Sequence, residues 1–138
     1  MRIFKTKVFA KIAKSAGLTD KTLAQAAKEV EKGLVDAELS GNLYKNRVPL
    51  PGRGKRGGAR TILVYSKSPG RTVYLFGFPK NVKDNLISKK LATYRKLEQL
   101  HSAFTEGQIK DLIQSKELEE IYDVDTKKES GKQTKRGR

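Results

Sequence analysis

Cysteine is absent from this 138-residue chain, and histidine occurs once, at His101. The first absence excludes disulfides, thiol nucleophiles and cysteine-based zinc sites, and the second excludes a histidine-rich metal centre. No apolar run is long enough to cross a membrane as a helix. The N-terminal residues 1–18 are interrupted by lysines every few positions, so they lack the continuous apolar stretch of a secretory signal. A cytoplasmic protein is the expectation. No P-loop, dinucleotide fingerprint or zinc motif occurs, and no internal repeat is visible. Nothing suggests paired-carboxylate catalysis. Glu117, Glu119, Glu120 and Asp123 read as the solvated end of a helix, and His101 falls beside Leu97 and Phe104 on one helical face, as a packed structural histidine would.

Charge is what the chain has in excess. Thirty Lys+Arg stand against 15 Asp+Glu, giving a formal net charge of +15. Such a field selects polyanionic partners such as RNA, DNA, ribosomes or an acidic protein, and says nothing about fold. The hydrophobic fraction of 36% is low, but its members are periodic, and a chain of this length buries one small core.

That periodicity divides the chain. Residues 2–5 suggest a short first strand. Val8, Ile12 and Ala16, with Phe9 and Ala13 beside them, follow helical spacing up to Gly17. Thr19 then caps a second helix with Leu23, Ala26, Ala27 and Val30 on its apolar face, stopped by Gly33. Leu43, Tyr44 and Val48, then residues 61–66 and 72–78, are β-branched and aromatic and predict an antiparallel meander with one face packed and the other open. Helical spacing returns after Ser88, a candidate N-cap, with Leu91, Tyr94, Leu97 and Phe104. Thr105 and Gln108 frame a capping box for a last helix carrying Ile109, Leu112 and Ile113. The expected fold is α+β, with an N-terminal helical hairpin packed on a small twisted antiparallel sheet and C-terminal helices. Residues 1–123 form the domain, and residues 124–138 a disordered basic tail.

The segment from Arg47 to Arg60 concentrates the charge. It holds five basic residues (Arg47, Arg53, Lys55, Arg56, Arg60), four glycines (Gly52, Gly54, Gly57, Gly58) and no acid. A mobile cationic loop whose backbone allows close approach suits phosphates, although a merely solvated hairpin has the same composition. Arg60 opens the following strand, with Tyr65 further along; Lys80 and Asn81 close the next one, with Asp84 and Asn85 beyond. Tyr74, Phe76 and Phe78 alternate, as a base-stacking platform or a packed core would. Lysines and arginines suffice to cleave RNA without metal, because the ribose 2′-OH is itself the nucleophile, and a lysine among other cations is an available base.

Four segments in order resemble the RelE/ParE superfamily of bacterial toxins, in particular its RelE/HigB-like branch. They are residues 1–7 with Phe9 and Ala10; residues 33–39 with 41–45, Arg47 and Val48; residues 52–65; and residues 74–81 with Asp84 and Asn85. The resemblance covers roughly residues 1–122. It implies a RelE-like fold and a type II toxin, neutralised by a cognate antitoxin, that cleaves mRNA on the ribosome by 2′-OH attack with no cofactor. Arg60 best matches the arginine on the scissile phosphate. Lys55 and Arg56 fall where the family places a basic loop, with Arg53 the alternative equivalent to Lys55. Lys80 falls where another basic residue ends the next strand, which makes Lys55, Arg56 and Lys80 the further catalytic candidates. Arg47, Arg53, Tyr65 and Asn81 are the accompanying RNA-binding candidates. A gyrase-directed toxin of the same superfamily and a non-catalytic RNA-binding protein are the alternatives.

Overall fold

The computed structural model describes residues 1–52, 54–78, 85 and 88–122, without the side chains of 54–57. Arg53, Lys80, Asn81, Asp84 and the expected tail lie outside the described residues. Strand β1 (Arg2–Thr6) leads into helix α1 (Lys7–Ala16) and helix α2 (Asp20–Glu31). Strands β2 (Ala37–Ser40), β3 (Leu43–Leu50), β4 (Gly54–Ser66) and β5 (Arg71–Phe78) follow, then helices α3 (Leu91–Ala103) and α4 (Glu106–Gln114) and strand β6 (Leu118–Ile121).

Helix boundaries follow local chemistry. The Thr6 hydroxyl accepts from the Phe9 N–H at 3.1 Å and the Thr19 hydroxyl from the Thr22 N–H at 3.2 Å. Gly17 closes α1 with φ of 81°, a left-handed conformation that suits a residue without a Cβ. The Thr105–Gln108 capping box is present in full. Ser88 does not cap α3, which begins after Lys90 with no side-chain cap.

The strands form one sheet in the order β2-β3-β4-β5-β1-β6. The β3-β4-β5 meander is antiparallel as expected, but β1 runs parallel to β5, so the sheet is mixed. The N-terminal helices make few contacts with each other: α1 packs chiefly on β5 and α2 on β3. They cover one face, closing a core of Phe9, Leu23, Ala27, Leu63 and Tyr74. Helices α3 and α4 cover the other, over Phe4, Ile62, Val64, Val73 and Ile109. The expectation of one open face therefore fails, because Tyr94, Leu97 and Ile109 need the far side of the sheet for their own burial. Gly77 lets α1 approach closely, since a Cβ there would lie 3.2 Å from Ile12 Cγ2. That contact turns Phe9 and Ala13 inward and leaves Val8 exposed, a different apolar face from the one spacing alone suggests.

Glu119 and Glu120 are not a solvated helix end. They lie in β6, antiparallel to β1, where Arg2 pairs with Glu120 at 3.0 Å and Lys5 with Glu119 at 3.5 Å. Glu117 directly precedes the strand, and Asp123 lies outside the described residues. Leu118 and Ile121, three apart, look helical in sequence; as strand residues they enter opposite cores. Among the described residues, no helix is long and apolar enough to cross a membrane.

Candidate basic site at the hairpin end of the sheet

The glycine-rich segment is mostly strand. β3 runs on to Leu50, β4 starts at Gly54, and Leu50 pairs with Gly54 around a turn containing Pro51 and Gly52. Val48 pairs with Ala59, so residues 55–58 stand opposite Pro49 alone. Proline has no N–H to give to the ladder, and the partner strand bulges where pairing is lost. Gly58 is required at that point, because a Cβ on it would sit 2.1 Å from the Val48 carbonyl oxygen. The bulge carries the backbone of Lys55 and Arg56.

Arg60 therefore lies within β4 rather than at its start. It faces Arg47 across β3 and Phe78 across β5. Directly opposed residues share a face, and Phe78 packs with the α3-side core. Arg47, Arg60 and Phe78 thus form a row on the α3 face, at the end of the sheet nearest the hairpin. Arg47 is exposed, with an ion pair to Asp36 at 3.8 Å between two half-exposed side chains, which holds it only weakly. Two arginines directly opposite repel each other, which disfavours pairing unless an anion lies between them.

Lys45 extends this row. It pairs with Ile62 and so shares the face of Arg47, two residues on. Sequence reasoning passed it over, although the i, i+2 spacing from Arg47 was the available signal. Phe76 and Phe78 lie beside it with ring centroids 5.0 Å apart, and Lys90 stands 5.4 Å over the Phe76 ring. Strict alternation would have put Tyr74 with them. Instead the β4–β5 register shifts between Leu63 and Ile62, so Tyr74 turns to the other face, stacks on Phe9 and donates to the Leu23 carbonyl at 2.7 Å.

Tyr65 does not join the row. It lies on the α2 face against Tyr44, five residues along β4 from Arg60, and burial raises its pKa. His101 is buried edge-on to Phe104, and burial together with the nearby Arg71 charge lowers its pKa to about 4. A neutral, enclosed imidazole there is structural. Among the described residues, no group of three His, Asp or Glu side chains is placed to hold a metal ion.

From the first residue to the end of β6, residues 1–121 match the family model described as the RelE toxin of the RelE/RelB toxin–antitoxin system. The chain belongs to the RelE toxin family. It is accordingly a toxin of a toxin–antitoxin system, and a cognate antitoxin is its implied partner. No curated relative matches the chain. The match ends with β6, the edge strand beside β1. In this RelE-family toxin the basic row and the bulge above it occupy the part of the α3 face farthest along the β3-β4 hairpin.

Proposed function

We propose that this RelE-family toxin is a metal-independent endoribonuclease that cleaves mRNA, on the ribosome, through attack of the ribose 2′-OH. The observation that supports this best is the register of Arg47 and Arg60, held opposite each other on hydrogen-bonded strands beside a bulge bearing Lys55 and Arg56. Cations fixed on strands are pre-organised for charge that develops at phosphorus. In the reaction a base removes the 2′-OH proton, the 2′-oxygen bonds to phosphorus, and the 5′-oxygen leaves with a proton from an acid. The products are a 2′,3′-cyclic phosphate and a 5′-OH. Arg60 neutralises the pentacoordinate phosphorus, and Lys55, Arg56 and Lys80 supply the proton transfers and remaining charge. Arg47, Lys45, Arg53 and Asn81 hold the RNA; Tyr65, on the opposite face, is left out of the site.

We take residues 1–123 as the toxin domain, with 124–138 a solvated extension. The antitoxin neutralises the domain by covering the basic face, or by displacing the last helix, with acidic and apolar residues. End chemistry tests the nuclease reading. Fragments from cells expressing the toxin should carry 5′-OH ends, and a 2′-deoxy sugar at the cut position of a ribosome-bound message should block cleavage. Cleavage at that deoxy position, or 5′-phosphate ends, would refute 2′-OH attack.

A further inference from the structure

A second concentration of charge lies on the other face of the sheet. Lys7, Lys11 and Lys14 recur at four- and three-residue intervals on α1, which puts them on one side of the helix over about 10 Å of its axis. With Lys116, in the turn between α4 and β6, they line a cleft of about 560 Å³. Lys5 also reaches it but is neutralised by Asp20 at 2.8 Å and Glu119 at 3.5 Å. Among the described residues the other four lysines make no ion pair.

Lys116 holds φ of 67°, the one left-handed non-glycine residue among those described. It ends α4 through an N–H to Ile113 O bond of 3.1 Å, a position where glycine fits without strain and lysine does not. The lysine held in this strained conformation adds its charge to the cleft.

We propose that this cleft is a docking surface for the phosphate backbone of structured RNA, separate from the basic row on β3 and β4. That the polyanion is RNA rests on the nuclease reading; the cleft's chemistry does not. Lys5 and Glu119 lie on the α1 face with Ile3 and Ile121, whereas Arg60 lies on the opposite face. β4 and β6 are moreover three strands apart, about 14 Å at usual strand spacing. Among the described residues no aromatic side chain lines the cleft, so none offers a base a stacking surface there. Lysines act as point charges without the planar fork that arginine offers, which suits sequence-independent backbone contact. An acidic polypeptide would need an apolar anchor site, and here the floor is Ala10, Ala13 and the already buried Leu18.

The test is fluorescence anisotropy with a labelled 20-base-pair RNA duplex, a DNA duplex of the same sequence, and polyglutamate, over a salt series. Arg60→Ala serves as the uncut parent chain. Adding Lys7→Gln, Lys11→Gln, Lys14→Gln and Lys116→Gln should raise the RNA Kd more than about tenfold. The slope of log K against log salt should fall by about three to four, as expected for four lost phosphate contacts on a duplex. Lys116→Gly alone should weaken RNA binding about two- to fourfold in a chain that melts no lower than its parent, which separates charge from folding. Unchanged RNA affinity and slope would overturn the proposal. A loss confined to polyglutamate would overturn it in favour of an acidic protein, and a larger loss on DNA would overturn the RNA assignment. Because binding is read without cleavage, a failed nuclease assay leaves the cleft result interpretable.

Discussion

Replacing Arg71 by methionine removes the group that holds the end of α3 to the sheet. The Arg71 side chain is 3% exposed, and its Nη2 donates to the carbonyls of Phe104 at 2.8 Å and His101 at 3.2 Å. These carbonyls belong to the last turn of the helix and its cap, which have no partner within the helix. Each charge-assisted bond contributes about 1.5–3 kcal/mol. The 3.5 Å pair with Glu106 adds little, because that carboxylate is 63% exposed and well solvated. Methionine keeps the apolar stem buried, so the loss should come from the two hydrogen bonds, about 3–6 kcal/mol. For a domain of this size that is a fall in Tm of about 10–25 °C. Urea unfolding followed by far-UV circular dichroism measures it directly, with Arg71→Lys as the comparison. One ammonium cannot reproduce the fork and should recover less than half of the loss. A loss below about 1 kcal/mol for Arg71→Met would refute this account of how the C-terminal helices are fixed.

Two further outcomes follow from the same geometry. Gly58→Ala drives a methyl into the Val48 carbonyl and should cost about 2–3 kcal/mol by overpacking, with a matching loss of toxicity; a folded, fully toxic alanine variant would show that the bulge is not needed. His101 is neutral when folded, with its pKa lowered to about 4 by burial and by the Arg71 charge. The unfolded chain therefore binds more protons between about pH 4 and the ordinary histidine value of about 6.5. Stability should be full above that window and fall by about 3 kcal/mol as pH drops through it. His101→Gln should flatten this part of the profile, and an unchanged slope in pH-dependent urea melts would contradict it.

Much of the fold was legible in the sequence. Thr19, Thr105 with Gln108, and Gly17 marked helix ends through side-chain and backbone chemistry that acts locally. The apolar face of α2 followed from its 3.6-residue period. Contacts made by distant segments were not legible. Nothing local to residues 2–6 says that β1 inserts beside β5 in parallel, or that residues 118–121 pair with it as a strand. Leu118 and Ile121 keep a helical spacing because both faces of this sheet are covered, so strand residues of either parity can be apolar. Within the basic site the cations themselves were readable from composition. Their arrangement depended on two register shifts: the one at Pro49, which made a loop into a bulged hairpin, and the one in β5, which turned Tyr74 away from Phe76. The parity of Tyr65 relative to Arg60 was available from the two-residue period, and it separates them.

Whether the basic row cuts RNA is decided by primer extension on a translated reporter mRNA in cells induced to express the natural chain or Arg60→Ala, with far-UV circular dichroism confirming that the variant folds. Growth arrest with discrete cuts inside the translated region is expected for the natural chain, and loss of both in the folded variant. Arrest with intact message, or cuts that persist in folded Arg60→Ala, would contradict cleavage by the row.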